Sequence, residues 1–250
     1  MKSPTRKMAV PHQPTSLRAA DVAHETLRTF SLTHNYNIWV MDMISPHVGH
    51  KTLEVGCGIG NLTFYLQDLS DLVCIDISDL YLAHMQVDFP DLKLLKCDLG
   101  SDALRELKPE RFDTVVCVNV LEHIEDDRKA LANLFEILEP GGRLLLHVPA
   151  LSALYGTLDR NLDHYRRYSR KGLLSLLNEI GFEIEQLNYC NPIAALGWFW
   201  NSRVLRKTAL ESWPTILFDK LVPLIAAVER RFKPPFGMSL FAVARKSERS

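Results

Sequence analysis

No apolar run in the sequence approaches the roughly 18 residues that a membrane-spanning helix needs, so no segment is expected to cross a bilayer. The first ten residues lack the apolar centre of a secretion signal. A net charge of −1 gives no global field that would draw the chain to nucleic acid, and no nucleic-acid partner is expected. The five cysteines (Cys57, Cys74, Cys97, Cys117, Cys190) are odd in number, and no two have metal-ligand or redox spacing. Cys74, Cys97 and Cys117 sit inside apolar runs and read as small core residues. A reducing, cytoplasmic setting fits this usage best. There is no internal repeat and no low-complexity segment. Charge is nevertheless uneven: residues 191–250 carry ten Lys or Arg against four Asp or Glu. That imbalance suits an anionic or membrane-surface partner near the C-terminus, or merely solvated basic faces.

What is present centres on the stretch 52–61, Thr-Leu-Glu-Val-Gly-Cys-Gly-Ile-Gly-Asn. A short apolar run enters a glycine-rich turn, and a helix-like segment at 62–66 leaves it. Glycines at alternate positions permit positive φ and close approach of a ligand to the main chain, and the N–H groups of the first helical turn are expected to face that ligand. The dinucleotide-binding fingerprint requires glycine where Asn61 stands, and Gly60 is out of place for it.

Around this turn the chain alternates regularly. Residues 1–15 carry three prolines and no periodicity, and are expected to be mobile. A helix is predicted from Ser16 through Leu27 and Phe30, and a second one, capped by Asn35, ends before Pro46. Apolar runs at 52–55, 72–77, 92–96, 114–119 and 143–148 predict strands separated by helices. Ser78, Asp126 and Ser169 are in place as N-caps, and Gly181 as a C-cap. The link 101–109 suits about two helical turns. Two more strands, 182–189 and 238–244, are predicted to pair as a hairpin at the sheet edge. Near-continuous apolar strands alternating with helices mean a largely parallel sheet covered on both faces. The long connection 191–236, rich in tryptophan and phenylalanine, reads as a helical insertion.

The glycine-rich turn preceded by Glu54, the acid Asp76 ending the second strand, Asp98 after the third and the segment Asn119-Val120-Leu121-Glu122-His123 after the fourth follow one order. That order resembles the class I S-adenosylmethionine-dependent methyltransferases over residues 35–246. The stretches 35–39, 53–63, 112–127 and 154–168, with Pro234-Pro235-Phe236-Gly237, resemble one group of small stand-alone bacterial members. The resemblance implies a Rossmann-like α/β fold: seven strands, mostly parallel, with an antiparallel C-terminal strand, helices on both faces, and a helical insertion before the last strand. Residues 1–50 then form a helical cap, 51–190 with 237–246 the core, and 191–236 a substrate cover.

It also implies S-adenosyl-L-methionine as cofactor, with S-adenosyl-L-homocysteine as product. The cofactor set is Tyr36, Glu54, Gly56, Cys57, Gly58, Gly60, Asn61, Asp76, Ile77, Asp98, Leu99, Asn119, Val120 and Leu121. Within it Asp76 takes the ribose hydroxyls, Asp98 with the next N–H takes adenine, and Glu54 takes the methionine ammonium. Tyr36 and Trp39 lie over the cofactor as a lid or pack as ordinary helix aromatics. Methyl transfer is an in-line displacement at carbon that needs no metal and no covalent enzyme intermediate; a base is needed only for a protonated nucleophile. Candidate bases are His164 and His123, each with an alternative structural role, while His147 suits a packed strand position. Tyr155, Tyr165, Arg167, Trp198 and Trp200 are candidates for the acceptor site, which is expected between the loop 155–168 and the insertion. For the insertion's aromatics three readings stay open: core packing, substrate cover or peripheral membrane contact. The acceptor, small or lipid-linked, is not encoded, nor is the oligomeric state. A non-catalytic cofactor-binding scaffold of the same fold is the alternative function. An NAD-dependent oxidoreductase is disfavoured by Asn61 and the C-terminal hairpin.

Overall fold

The computed structural model describes residue 24 and residues 26–29, 31–207 and 212–247. The expected mobile segment, most of the first predicted helix and the side chain of Trp213 lie outside the described residues.

Seven strands form one sheet: β1 (Lys51–Val55), β2 (Asp71–Asp76), β3 (Lys93–Lys96), β4 (Phe112–Val118), β5 (Leu138–Pro149), β6 (Phe182–Cys190) and β7 (Ser239–Lys246). Their order is β3-β2-β1-β4-β5-β7-β6. The first five pair in parallel, with Leu53 beside both Val73 and Val115, and β7 runs antiparallel to β5 and to β6. All seven predicted strands form, with ends shifted by a few residues. The last two strands pair antiparallel at the sheet edge, as expected. β7 slots between β5 and β6, so β6 holds the edge.

The period-2 alternation of the strands sends side chains to two faces. Val73, Ile75, Val115, Cys117, Leu144 and Leu146 pack on α4 (Asp127–Ile137) and α6 (Arg170–Ile180). Leu72, Cys74, Val116, Leu145 and Val243 pack on α1 (His34–Ile44) and α3 (Asp79–Asp88). The caps follow the sequence: the side chains of Ser78, Asp126 and Ser169 accept N–H groups of the first turns, and Gly181 closes α6 at φ 116°. Residues Asp102–Glu110 form a 3₁₀ helix, with Pro109 inside it.

The insertion is helical, with α7 (Pro192–Phe199), a π-helical turn (Trp200–Val204), α8 (Ser212–Asp219) and α9 (Val222–Arg231). Val222 and Ala226 of α9 join the second core beside Trp39 and Phe241, so this part of the insertion is a structural layer of the sheet. Asn35 is not the cap of α1. The N-cap position is Thr33, and Asn35 instead donates through its backbone N and its Nδ2 to Asp219 Oδ2 at 3.2 and 3.0 Å, while Tyr36 N donates to Oδ1 at 2.8 Å. An acid from the insertion thus receives the N-terminal donors of α1, where negative charge is favoured.

Candidate active site

β1 delivers the chain into the glycine-rich turn, and β2 holds that turn in place. Gly56 N and Cys57 N both donate to the Ile75 carbonyl, at 2.8 and 3.2 Å. Gly56 has φ 67°, and a Cβ there would sit 2.4 Å from Val120 Cγ2, so both the backbone and the space require glycine. Gly60, at φ 87°, faces Phe89 and Met85 with no room for a Cβ, and this lets the turn pack on α3. The segment after the turn is the short one expected at 62–66. α2 (Thr63–Leu66) has a single turn, and Phe64 N, Tyr65 N and Leu66 N donate within it to Gly60 and Leu62 carbonyls. The expectation that first-turn N–H groups face a ligand does not hold for these three.

Beneath the turn lies a cavity of about 120 Å³ lined by Tyr36, Glu54, Gly56, Asn61, Val118 and Asn119, among others. Glu54 is 4% exposed and accepts from Thr63 Oγ1 at 2.6 Å and from Cys74 Sγ at 3.5 Å. Burial outweighs these bonds and raises its pKa to about 7. Half-buried Tyr36 reaches Asn119, and burial raises its phenol well above the usual range. Asn119 turns the chain at φ 53° and its Oδ1 lies 3.1 Å from His147 Nδ1. His147 is a packed strand residue, and burial lowers its pKa to about 4.

Asp76 closes the side of this turn. Its Oδ2 accepts from Gly58 N at 2.9 Å and its Oδ1 from Ser78 N at 2.8 Å. A carboxylate has about four acceptor positions, so about two remain. Cys97 N donates to the Asp76 carbonyl, which brings exposed Asp98 and buried Leu99 to the same end of the sheet. Ile77, 67% exposed, presents apolar surface beside them.

A second polar cluster is built on the loops after β4 and β5. Asp159, fully buried in α5 (Thr157–Asn161), accepts from Arg167 Nε at 2.6 Å, Gly156 N at 2.9 Å and Trp198 Nε1 at 3.2 Å, and lies 3.3 Å from His164 Nδ1. Burial pushes its pKa up, but the bond from His164, the Arg167 charge and the other donors leave it below the usual carboxylate value. Arg167 also donates to the Ala150 carbonyl and lies 4.9 Å over the Trp198 ring. Three residues expected at the acceptor site, His164, Arg167 and Trp198, therefore converge on one carboxylate. The guanidinium of Arg167 and the indole N–H of Trp198 are committed inward to it. Nothing in sequence spacing marked Asp159 as the hub, because its partners lie up to 39 residues away.

Tyr155 donates to the His164 carbonyl at 2.7 Å, and Tyr165 N to the Glu122 carbonyl at 2.8 Å, so the two loops are tied together. The Tyr165 and Trp200 side chains are more than half exposed. His123 and His164 stack edge to face with centroids 4.7 Å apart. Packing of its ring, then the neighbouring His164, hold His123 below its usual pKa although part of the residue reaches solvent. Glu122 is 1% exposed, and burial raises it to about 7. A larger opening of about 540 Å³ lies between this loop and the insertion, lined by Gly156, Thr157, Arg160, Ser202, Arg203 and Arg206. The three arginines were not foreseen as a group, since they meet only when the π-helical turn packs on α5.

Asp159→Ala leaves the Arg167 guanidinium buried without its carboxylate, which typically costs about 3–5 kcal/mol. Chemical denaturation is expected to show a destabilisation of that order, and a change under about 1 kcal/mol would contradict the hub role.

Residues 53–144 match a family model described as a methyltransferase domain. A tRNA U34 carboxymethyltransferase of Pseudoalteromonas translucida is 32% identical over 168 residues, covering 61% of this chain and 52% of that protein. A ubiquinone biosynthesis O-methyltransferase of Methylococcus capsulatus is 30% identical over 138 residues, covering 53% and 54%. The chain thus spans about half the length of the curated relatives it matches. Among solved structures, a SAM-dependent methyltransferase from Archaeoglobus fulgidus shares the fold at TM-score 0.56 and 14% identity, over 82% of this chain and 91% of that one. Phosphoethanolamine N-methyltransferase 2 of Haemonchus contortus, solved with S-adenosyl-L-methionine, shares it at TM-score 0.56 and 17% identity, over 86% and 53%. Among the described residues, no helix is long and apolar enough to cross a membrane. The glycine turn between β1 and α2, the strand-end acids and the sheet order with its antiparallel β7 thus accompany a methyltransferase domain at residues 53–144, in a fold shared with S-adenosylmethionine-dependent methyltransferases.

Proposed function

We propose that the chain moves a methyl group from S-adenosylmethionine to an oxygen, nitrogen or carbon of a small or lipid-linked acceptor. The observation that carries this reading is Asp76. Its carboxylate is held by two backbone N–H groups of the turn and the strand end, yet keeps acceptor capacity for a pair of ribose hydroxyls. Asp98 and the Leu99 N–H are the partners assigned to adenine, with Ile77 as an apolar wall. Glu54, at the cavity, is assigned to the methionine ammonium. Gly56, Cys57, Gly58, Gly60 and Asn61 shape the turn around the tail and ribose, and Asn119, Val120 and Leu121 border it from β4. Tyr36 covers the cavity from α1. When bound, the cofactor supplies a sulfonium-activated methyl and a neutral leaving sulfur.

On the acceptor side, the Asp159 carboxylate accepts, so His164 Nδ1 carries the proton and Nε2 keeps its lone pair. That arrangement suits a base oriented by a buried acid. The arginine-lined opening next to it favours an acceptor with an anionic group. The relatives act under different names on different acceptors, so their names do not choose one here. Cofactor binding without turnover on any acceptor would move the reading to a non-catalytic scaffold.

Three outcomes are expected. Asp76→Ala loses hydrogen bonds to a charged group, worth roughly 1.5–3 kcal/mol, so S-adenosylhomocysteine affinity by isothermal titration falls about tenfold or more. Unchanged affinity would remove the ribose assignment. The second outcome concerns pH. Burial raises Glu54, so below about pH 7 the free protein holds its carboxyl protonated, and binding an ammonium must expel that proton. Affinity therefore weakens as pH falls below 7, by up to about tenfold per unit. It levels off above 7, and Glu54→Gln flattens the profile; the same slope in that variant would contradict the assignment. Finally, His164→Ala lowers single-turnover transfer of labelled methyl by about 10²-fold with cofactor affinity nearly unchanged. Equal rates would reject its role in proton removal.

A further inference from the structure

The second polar cluster has a feature that proton abstraction alone does not use. Glu122 is 1% exposed, and its Oε2 has no hydrogen-bond partner. A buried carboxylate oxygen left unpaired is costly, and native structures seldom keep one without a water, an ion or a ligand to meet it. Ligand-type atoms of Glu122, His123 and His164 all lie within 4.8 Å of one another. Bonds of about 2.0–2.2 Å to a common ion place donors somewhat closer than that, so small side-chain shifts complete the geometry.

His164 is oriented as a metal-bound imidazole is. His164 Nδ1 lies 3.3 Å from Asp159 Oδ1, and the His123 ring packs edge to face on the His164 ring. A carboxylate that accepts from Nδ1 leaves the lone pair of His164 on its other nitrogen, the arrangement by which outer partners set the tautomer of a ligating histidine. The Asp159 that orients His164 is itself locked by Arg167, Gly156 and Trp198.

We propose that Glu122, His123 and His164 form a binding site for one divalent transition-metal ion of the zinc, cobalt or manganese type. Two imidazoles and one carboxylate suit such ions better than magnesium or calcium, which prefer all-oxygen sets. Three protein ligands leave coordination positions open, as catalytic sites do. The site departs from the sequence expectation that no metal is needed. It deepens the methyl-transfer reading and rests on it for the acceptor: an ion here takes the His164 lone pair in place of a proton, and a Lewis acid that holds an acceptor hydroxyl makes its proton easier to lose to water. Arg167 gives its Nε to Asp159 and its Nη1 to Ala150, and although its charge reaches Glu122, its Nη2 is buried without a partner and makes no hydrogen bond to Glu122 Oε2.

The test strips the full chain with a chelator, then follows Zn²⁺ by isothermal titration and Co²⁺ by visible absorption. One ion per chain is expected, with ligand-field bands free of a thiolate charge-transfer band. Glu122→Gln and His164→Gln should each weaken Zn²⁺ binding at least about tenfold, since even outer partners of ligands are worth that much. His84→Ala, at a surface pair with Asp88, should bind as the parent does. Circular dichroism checks each fold. If Glu122→Gln does not fold, His123→Ala, at a partly solvent-facing residue, carries the comparison. Absence of saturable binding at about 100 μM, equal affinity in all variants, or a cobalt–thiolate band pointing to the cysteines overturns the proposal. S-adenosylhomocysteine titrated into the same samples separates the two readings. Its binding without an ion leaves methyl transfer standing and removes the metal site, and an ion without its binding does the reverse.

Discussion

The Asp159 carboxylate receives the backbone N–H of Gly156, the guanidinium of Arg167 and the indole N–H of Trp198, and faces the imidazole of His164. These groups come from α5, from the loop that follows it and from α7 of the insertion. In the low dielectric of a dry interior, a carboxylate persists only when such partners replace water. The same requirement fixes the partners. Arg167 cannot reach solvent, and Trp198 is drawn onto its guanidinium. His164 is held by Asp159 next to Glu122 and His123. Beside this ion-paired hub, Ser202 and Arg203 of the insertion hydrogen-bond Thr157, Leu158 and Tyr155, so the loop after β5 and the insertion are joined by polar contacts at both places.

The cofactor side depends on a different device. There the carboxyl end of β2 does the holding: its last carbonyls and the Asp76 side chain take up the N–H groups of the glycine turn. A turn satisfied by protein rather than by water keeps its shape before any ligand arrives, and preorganisation of this kind lowers the ordering cost of binding. Glu54 and Glu122 mark the two ends of the site. Both are buried acids raised to about 7, one under the turn and one behind His123, and perturbed groups of this kind gather where chemistry is done.

The insertion joins these halves. α9 covers the sheet face over β5 and β7, and Asp219 of α8 receives the first donors of α1, which carries Tyr36 to the cavity. α7 meanwhile supplies Trp198 to the hub. One segment between β6 and β7 thus supports both the cofactor cover and the acceptor-side loop. It also exposes Ile193, Leu196, Phe199 and Trp200, residues spaced to share much of one side of α7 and the turn after it.

The sequence by itself determined the strands, because each is an apolar run of the right length. It also determined the caps at Ser78, Asp126, Ser169 and Gly181, because capping is a local matter of one side chain and the next turn. The glycine turn and its acids were readable for the same reason, since Glu54 through Asn61 is one uninterrupted device. Tertiary structure alone decided the rest. β7 enters between β5 and β6 because pairing there buries both of its faces, which no local pattern encodes. Asn35 gave up its expected cap for a carboxylate 184 residues away. Arg167 and Trp198 were read as candidates for the acceptor site, and only the fold shows that both hydrogen-bond Asp159. Glu122 and His164 became neighbours only because two loops close over the same strand ends, and a contact between residues so far apart in the chain is fixed by packing, not by spacing.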